Sequence, residues 1–379
     1  MLFMSTIEKL KLHNFRCYDS AALQDLQKGL IVLWGANGVG KTNILEALSL
    51  LAPGRGLRTA RMGDIQNNSL TDPWAVSALL RMDYGDEVRI GTGLDPNSRQ
   101  GSEKRTVRIN GKTVRSQANL SKHLACVWLT PQMDRLFIDS SRERRKFLDR
   151  LVFTFDPGHS GRVIRYENAL SQRSKLLREG KGEDVWLSAL EKQMAETGVA
   201  IAAARIEYAQ RLMAACKASD DTSFPRARFS VKGCVEEWLG ADDTPALQVE
   251  DRFKEALKQS RPRDALTGGA LEGPHKSDLA VVYDAKNIAA DQCSTGEQKA
   301  LLIGIILAHS RLIKAERGSA PILLLDEVVA HLDESRRAAL YEILHDLGAQ
   351  CWLTGTEKGL FSGIGGDAQF FDVADIKGV

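Results

Sequence analysis

Gly35-Ala36-Asn37-Gly38-Val39-Gly40-Lys41-Thr42 is the stretch on which the reading of this chain turns. It matches G-x-x-x-x-G-K-[ST], a pattern whose glycines let backbone N–H groups converge on phosphate oxygens without Cβ clashes. The flanks fit. Leu30 to Trp34 is a continuous apolar run of strand length stopped by Gly35, as a strand buried on both faces reads. After Lys41, the spacing of Ile44, Leu45, Leu48 and Leu51 is helical and ends near Pro53-Gly54. The order strand, loop, helix sets the positive N-terminal dipole of the helix behind the loop. The expected ligand is ATP, with Lys41 reaching the β- and γ-phosphates and Thr42 holding Mg2+ through its hydroxyl. The bland alternative is a glycine-rich turn that only opens a helix.

Far downstream, Ile322-Leu323-Leu324-Leu325-Asp326-Glu327 is an apolar strand that ends in two adjacent carboxylates. At the carboxyl end of a strand in an open α/β sheet, both can enter the crevice where ligands bind. Asp326 is expected to bind the metal, directly or through water, and Glu327 to polarise the attacking water. An acidic helix start after a buried strand is the alternative for this segment taken alone. Lys41 and Asp326 lie 285 residues apart. That separation does not suit a small nucleotide kinase and fits a nucleotide fold split by a long insertion.

Ser294-Thr295-Gly296-Glu297-Gln298 precedes a long apolar helix starting near Ala300. By itself it reads as a capping box. It also stands where ABC-type ATPases carry their signature motif, in which the Ser, the Gly and the helix N-terminus contact the γ-phosphate held by the opposing protomer. Ala330-His331-Leu332-Asp333 fits the loop that lies across such a dimer interface.

The remaining text organises around these motifs. Residues 7 to 16 suggest a first strand, and residues 76 to 115 read as antiparallel β-structure, with Asn110-Gly111 a strong two-residue hairpin signal. Cys126 to Leu129 reads as another buried strand. From Arg162 to Cys216 the chain is rich in Ala, Leu, Glu, Lys and Arg, broken at residues 179 to 183, which suggests an αα-hairpin. Some helix is expected around Asp251 to Gln259 and strand at Leu279 to Tyr283. The 379 residues, 43% hydrophobic and 26% charged, are ordinary for a globular chain with a real core. Six scattered cysteines without a C-x-x-C suggest reduced thiols rather than a metal site or disulfide framework. The longest apolar run, Ala300 to Ala308, is too short to span a bilayer, and the charged N-terminus does not read as a signal peptide. A net charge of +2 leaves nucleic-acid binding to local patches.

With these pieces in order the chain resembles the RecF family, bacterial recombination-mediator ATPases grouped with the SMC-type heads of the ABC class. The resemblance covers most of the length. It includes Leu12-His13-Asn14-Phe15-Arg16, the phosphate loop, Arg144-Arg145-Lys146-Phe147-Leu148-Asp149, Gly273-Pro274-His275-Lys276-Ser277-Asp278, Ser294 to Lys299 and Asp326 to Leu340. The phosphate loop is generic, whereas the Arg-Arg-x-Phe-Leu-Asp and Gly-Pro-His blocks are specific. Gln132 stands where the family more often has an acidic residue, although the wider ABC class uses Gln there to sense Mg2+ and water. Ser141 replaces a usual proline, and Lys276-Ser277 a usual Arg-Asp. Thr354-Gly355-Thr356 stands where transporter ATPases place a switch histidine, which RecF-like proteins also lack.

The resemblance implies an α/β ABC/SMC-type P-loop head with an inserted, mainly helical lobe. The lobes would be 1–155, 156–265 and 266–379. It implies a slow, cytoplasmic ATPase that dimerises on ATP and takes Mg2+. Its nucleotide site would use Gly35 to Thr42, Arg16, Ser294, Gly296 and Asp333, with Glu327, Lys41 and Gln132 catalytic and Thr42, Asp326 and Gln132 at the metal. It implies binding to double-stranded and gapped DNA, action with RecR and RecO, indirect support of RecA loading and the SOS response, and no membrane. Three basic groups are candidate DNA contacts: Arg99 to Arg115 around the hairpin, Arg142 to Arg150, and Arg55, Arg58 and Arg61. A solvated charged face is the alternative for each. The helical hairpin is either a shortened SMC arm or plain packing. Rival functions are a transporter's nucleotide-binding subunit, a coiled-coil chromosome-organising or nuclease-associated head, and a scaffold that binds ATP without turnover.

Overall fold

The apolar runs Leu30–Trp34, Cys126–Leu129 and Ile322–Leu325 are strands in the computed structural model of the protein. It describes residues 5–67, 72–82, 85–98, 103–180, 183–218, 222–241, 244–365 and 368–376. In chain order the elements are β1 (Ser5–Phe15), β2 (Tyr18–Leu23), β3 (Leu30–Trp34), α1 (Lys41–Ser49), β4 (Ala75–Met82), β5 (Glu87–Leu94), β6 (Arg105–Ile109), β7 (Lys112–Val114) and β8 (Cys126–Leu129). There follow α2 (Ser141–Phe155), α3 (His159–Glu179), α4 (Asp184–Lys217), β9 (Ala227–Lys232), α5 (Cys234–Gly240), α6 (Ala246–Thr267), β10 (Asp278–Tyr283) and β11 (Ile288–Ala289). The chain closes with α7 (Thr295–Arg317), β12 (Ile322–Leu325), α8 (Glu334–Leu347), β13 (Cys351–Gly355) and β14 (Gln369–Asp372).

Contacts group the chain into two units, Met1–Met133 with Ile306–Val379, and Asp134–Ile305. The first holds a five-stranded sheet in the order β14-β3-β13-β12-β8, parallel throughout, and a six-stranded antiparallel sheet in the order β2-β1-β4-β5-β6-β7. Ile31, Val32, Leu33, Leu323, Leu324, Trp352 and Leu353 are fully buried, which is why these strands are apolar without alternation. Ile44, Leu45 and Leu48 of α1 join one core with Leu10, Leu12 and Phe15 of β1 and with Trp352 of β13. The Asn110-Gly111 turn forms as its sequence requires: both residues have positive φ, 49° and 79°, and Ile109 pairs with Lys112 across it.

The second unit contains the expected helical hairpin, α3 against α4, with part of its connection outside the described residues. It is not purely helical, because β9, β10 and β11 form a three-stranded antiparallel sheet. Residues 278–283 pair in register with 227–232. That pairing draws the segment after residue 265 into the second unit, where the sequence reading assigned it to the C-terminal ATPase lobe. Helix α2 packs on β10, α3 and α4 and brings residues 141–155 along.

At the centre of this unit, Arg173 is fully buried and joins three helices. Its guanidinium donates to Glu191 Oε1 at 2.9 Å, Asp264 Oδ2 at 2.8 Å and the Leu257 carbonyl at 2.6 Å. Arg261 completes the network, donating to both oxygens of Glu191 at 2.9 and 2.6 Å.

Candidate nucleotide site

The parallel sheet brings four strand ends to one crevice. Trp34 is level with Gly355, and Leu325 is level with both Leu353 and Leu129, so β3, β13, β12 and β8 all end on the same side. These strand ends and the loops that follow carry Gly35 to Thr42, Thr354 and Gly355, Asp326 and Glu327, and Gln132. Thr42 and Asp326, 284 residues apart in sequence, thus come to hydrogen-bond distance. Thr42 Oγ1 donates towards both oxygens of Asp326, at 3.1 and 3.0 Å.

The loop itself needs its glycines. Gly35, Gly38 and Gly40 have φ of 146°, 83° and 114°, where residues with a Cβ are strained. A Cβ on Gly40 would also lie 2.4 Å from the Tyr18 hydroxyl. Ala36, Asn37 and Gly38 form the exposed crest of the loop and Val39 is half-buried. Lys41 is 5% exposed and donates to the carbonyls of Gly35 at 2.6 Å and Ala36 at 2.9 Å, which holds its charge within the curve of the loop.

Asp326 is 5% exposed, and its burial pushes the carboxyl pKa up, against the pull of the hydroxyls of Thr354 and Thr42. Thr354, fully buried, donates to Asp326 Oδ1 at 2.8 Å and accepts the Glu327 backbone N–H at 2.8 Å. Glu327 itself is half-buried in a left-handed conformation, φ 52°. Sequence reading noted position 354 only for a missing histidine and overlooked this role. The signal available was a hydroxyl at the carboxyl end of an apolar strand beside the acidic one. The Thr354→Val variant keeps the shape and leaves the Glu327 N–H unpaired in a buried place. It is expected to lose about 1–3 kcal/mol in denaturant unfolding; parental stability would show that the hydroxyl holds nothing.

Mg2+ is tested by the donor set. Octahedral coordination at roughly 2.1 Å places neighbouring oxygen ligands about 3 Å apart. The 3.0 and 3.1 Å separations of Thr42 and Asp326 match that spacing, and one hydroxyl with one carboxylate suits a hard cation. The residues present fit the ion. Gln132 is exposed on the short turn just past β8, next to the Asp326 strand.

The other expected residues are placed as follows. Ser294 and Gly296 are exposed at the start of α7. The capping box is formed as well, with Ser294 N and Oγ each donating to Glu297 Oε2 at 2.9 Å. Lys286 and those two Ser294 donors hold the Glu297 carboxyl down at about 2. Capping and an open face therefore coexist. Asp333 is exposed and caps α8, accepting the Arg336 N–H at 2.8 Å. Arg16 grips Glu46 of α1 through two nitrogens, at 2.9 and 2.6 Å, and donates to the Asp64 carbonyl at 2.7 Å. Arg58 reaches the same Glu46, which is 1% exposed.

The basic groups divide on inspection. Arg105 donates to Thr92 Oγ1, Gln117 Oε1 and the carbonyls of Leu50, Gly54 and Ala52, and burial brings its pKa down to about 10. Arg144 is bidentate on Asp278, at 2.7 and 2.8 Å. Arg58, Arg105 and Arg144 are thus internal struts, because the nearest acceptors are protein groups. Arg55, Arg61, Lys104, Arg108, Lys112, Arg115, Arg142 and Lys146 are exposed. Arg99 lies outside the described residues.

Among the described residues no helix is long and apolar enough to cross a membrane. The family model for the RecF/RecN/SMC N-terminal domain matches residues 6–373. The chain is 50% identical over 369 residues to the DNA replication and repair protein RecF of Mesorhizobium japonicum, covering 97% of this chain and 96% of the relative. It is 46% identical over 371 residues to RecF of Rhizobium johnstonii, covering 98% and 97%. A solved structure of the recombination mediator protein RecF with ATP, from the RecFOR pathway, superposes with a TM-score of 0.83 at 23% identity, covering 100% of this chain and 99% of that one. An Smc head domain from Pyrococcus furiosus reaches 0.51 at 16% identity, covering 95% and 92%. Those two likenesses are of fold, the SMC-type ATPase head. With half of its residues shared over nearly the whole length of a curated relative, this chain belongs to the RecF family of DNA replication and repair proteins.

Proposed function

We propose that this chain binds and slowly hydrolyses ATP with Mg2+, and that ATP joins two copies into a clamp on DNA. The observation that carries the reading is the Thr42–Asp326 pair, two oxygens from opposite ends of the chain at the spacing of two ligands of one cation. Gly35 to Thr42 would wrap the phosphates, with Lys41 supplying charge, and Arg16 would lie at the edge of the pocket beside α1. Mg2+ would supply charge neutralisation at the phosphates, held by Thr42 and Asp326 with Gln132 nearby. Glu327, its backbone fixed by Thr354, would accept hydrogen bonds from the attacking water and orient it.

Ser294 and Gly296 of one copy would complete the pocket of the other, with Asp333 at the seam. Their exposure supports this, since groups facing their own core are unable to serve a second subunit. DNA would meet the exposed basic residues of the hairpin, Lys104, Arg108, Lys112 and Arg115, through its phosphates. Each neutralised phosphate contributes roughly −0.9 to the log–log salt slope. The proposed setting is cytoplasmic repair at single-stranded gaps with RecR and RecO, aiding RecA loading and the SOS response; membership of a family of DNA replication and repair proteins supports it.

The test is sizing by light scattering with and without ATP and a gapped duplex. The parent is expected to double in mass with ATP and to retain the duplex. Ser294→Arg places a bulky cation on the exposed face, at a cost of about 1 kcal/mol in helix capping. It should bind ATP and remain a single subunit. ATP-dependent pairing by that variant would remove Ser294 from the interface.

A further inference from the structure

We propose that a second cavity, built wholly from residues of the Asp134–Ile305 unit, is a binding site for a phosphate monoester. Its volume is about 300 Å3, and its lining includes Arg142, Arg145, Lys146, Arg205, Asp149 and Glu167. That size is at the lower end for small-molecule sites and suits a phosphate with a sugar attached.

The site is prebuilt. Arg142, Arg145, Lys146 and Asp149 fall at i, i+3, i+4 and i+7 of α2, so they share one face. Arg205 holds Asp149 through two nitrogens, both at 2.8 Å, and donates to the Pro274 carbonyl at 2.6 Å. Burial alone would raise the Asp149 carboxyl, but Arg205 and His159 bring it to about 2, so it remains an anion paired with Arg205. On the far wall the Tyr166 hydroxyl donates to His275 Nδ1 at 2.7 Å, and His275 Nε2 donates to the Ala270 carbonyl at 2.9 Å. Burial, helped by Lys276 and Arg145, lowers the His275 pKa to about 4, so the ring is neutral. Gly273, at φ 129°, is what lets this wall close: a Cβ there would lie 2.4 Å from the Tyr166 hydroxyl. The Arg-Arg-x-Phe-Leu-Asp and Gly-Pro-His blocks meet at this cavity.

The charge count names the ligand class. Asp149 and Arg205 cancel, which leaves Arg142, Arg145 and Lys146 facing Glu167, an excess of two positive charges in the lining. The Lys146–Glu143 pair is half exposed on both sides and therefore screened. Arg145 donates to the Ser277 carbonyl, and burial first, then Arg205 and Arg142, lower its pKa against the pull of Asp278 and Asp149. A dianion relieves that crowding. A phosphate monoester carries about −1.5 to −2 at pH 7, whereas a phosphodiester carries only one charge.

Ribose 5-phosphate is the probe, titrated calorimetrically into the full chain carrying Lys41→Ala, which disables the phosphate loop. One equivalent is expected to bind, with ribose itself inert. Arg142→Glu with Lys146→Glu, both on the exposed rim, should weaken it at least tenfold with the circular dichroism spectrum unchanged. Equal affinity in that double variant, or no binding by the parent, overturns the assignment. Duplexes ending in a 5′-phosphate or a 5′-hydroxyl separate the sources. A preference for the phosphate that needs Arg142 and Lys146 identifies strand ends, and its absence beside ribose 5-phosphate binding identifies a small metabolite; both uphold the site. Duplex binding that falls in the double variant without end preference or ribose 5-phosphate binding means backbone phosphodiesters are read instead, and the monoester assignment is lost.

Discussion

Replacing Glu327 with glutamine is expected to lower phosphate release from ATP by about a hundred- to ten-thousand-fold, the usual contribution of a general base. Nucleotide affinity should be unchanged, because glutamine occupies the same volume and the Thr42, Asp326 and Lys41 contacts do not involve it. The backbone is not disturbed either: Thr354 fixes the Glu327 N–H, and the left-handed φ of 52° is strained equally for both side chains. If hydrolysis reopens the clamp, the variant accumulates as an ATP-bound dimer and dissociates from a gapped duplex more slowly. Light scattering and a phosphate-release assay check the two halves separately. Turnover at the parent rate would move the base elsewhere in the crevice, whereas slow turnover without dimer accumulation would detach hydrolysis from pairing.

Arg173→Ala should destabilise the second unit by about 3–5 kcal/mol, the scale for stripping one partner from a buried ion network. Glu191 and Asp264 are 1% and 0% exposed, so water does not replace the lost donors. Arg261 still reaches Glu191, but Asp264 would keep only the Ser260 hydroxyl at 2.6 Å among its described partners. Denaturant unfolding followed by circular dichroism measures the loss. Changing Arg173, Glu191 and Asp264 together to leucine or methionine should recover part of it, since the buried carboxylates are no longer stranded and Arg261, which loses Glu191, keeps Asp184 and Ser188. A loss below about 1 kcal/mol in the single variant would mean that the network is hydrated.

The ATPase core was legible because its rules are local. Leu30–Trp34, Cys126–Leu129 and the Asn110-Gly111 turn form where run length and turn chemistry put them. Other elements escaped. β2 alternates poorly, β14 is half-buried throughout, and β9 pairs with β10 from 46 or more residues away in sequence. α2 hid behind its charges: Arg144 and Arg145 read as a DNA-facing patch, yet their donors turn inward to Asp278 and the Ser277 carbonyl. Charge on a helix says that a solvated or paired face exists, and only packing says which.

Residue order by itself determined the strand–loop–helix around Gly35 to Thr42 and the acidic strand end, since backbone torsion and apolar run length act over a few neighbours. Tertiary structure decided the rest: that Thr354 bridges Asp326 and Glu327, that Arg105 and Arg144 are struts, and that residues 278–305 side with the helical unit. Those outcomes depend on which buried polar groups find partners across hundreds of residues, and such pairings are fixed only when the sheets close.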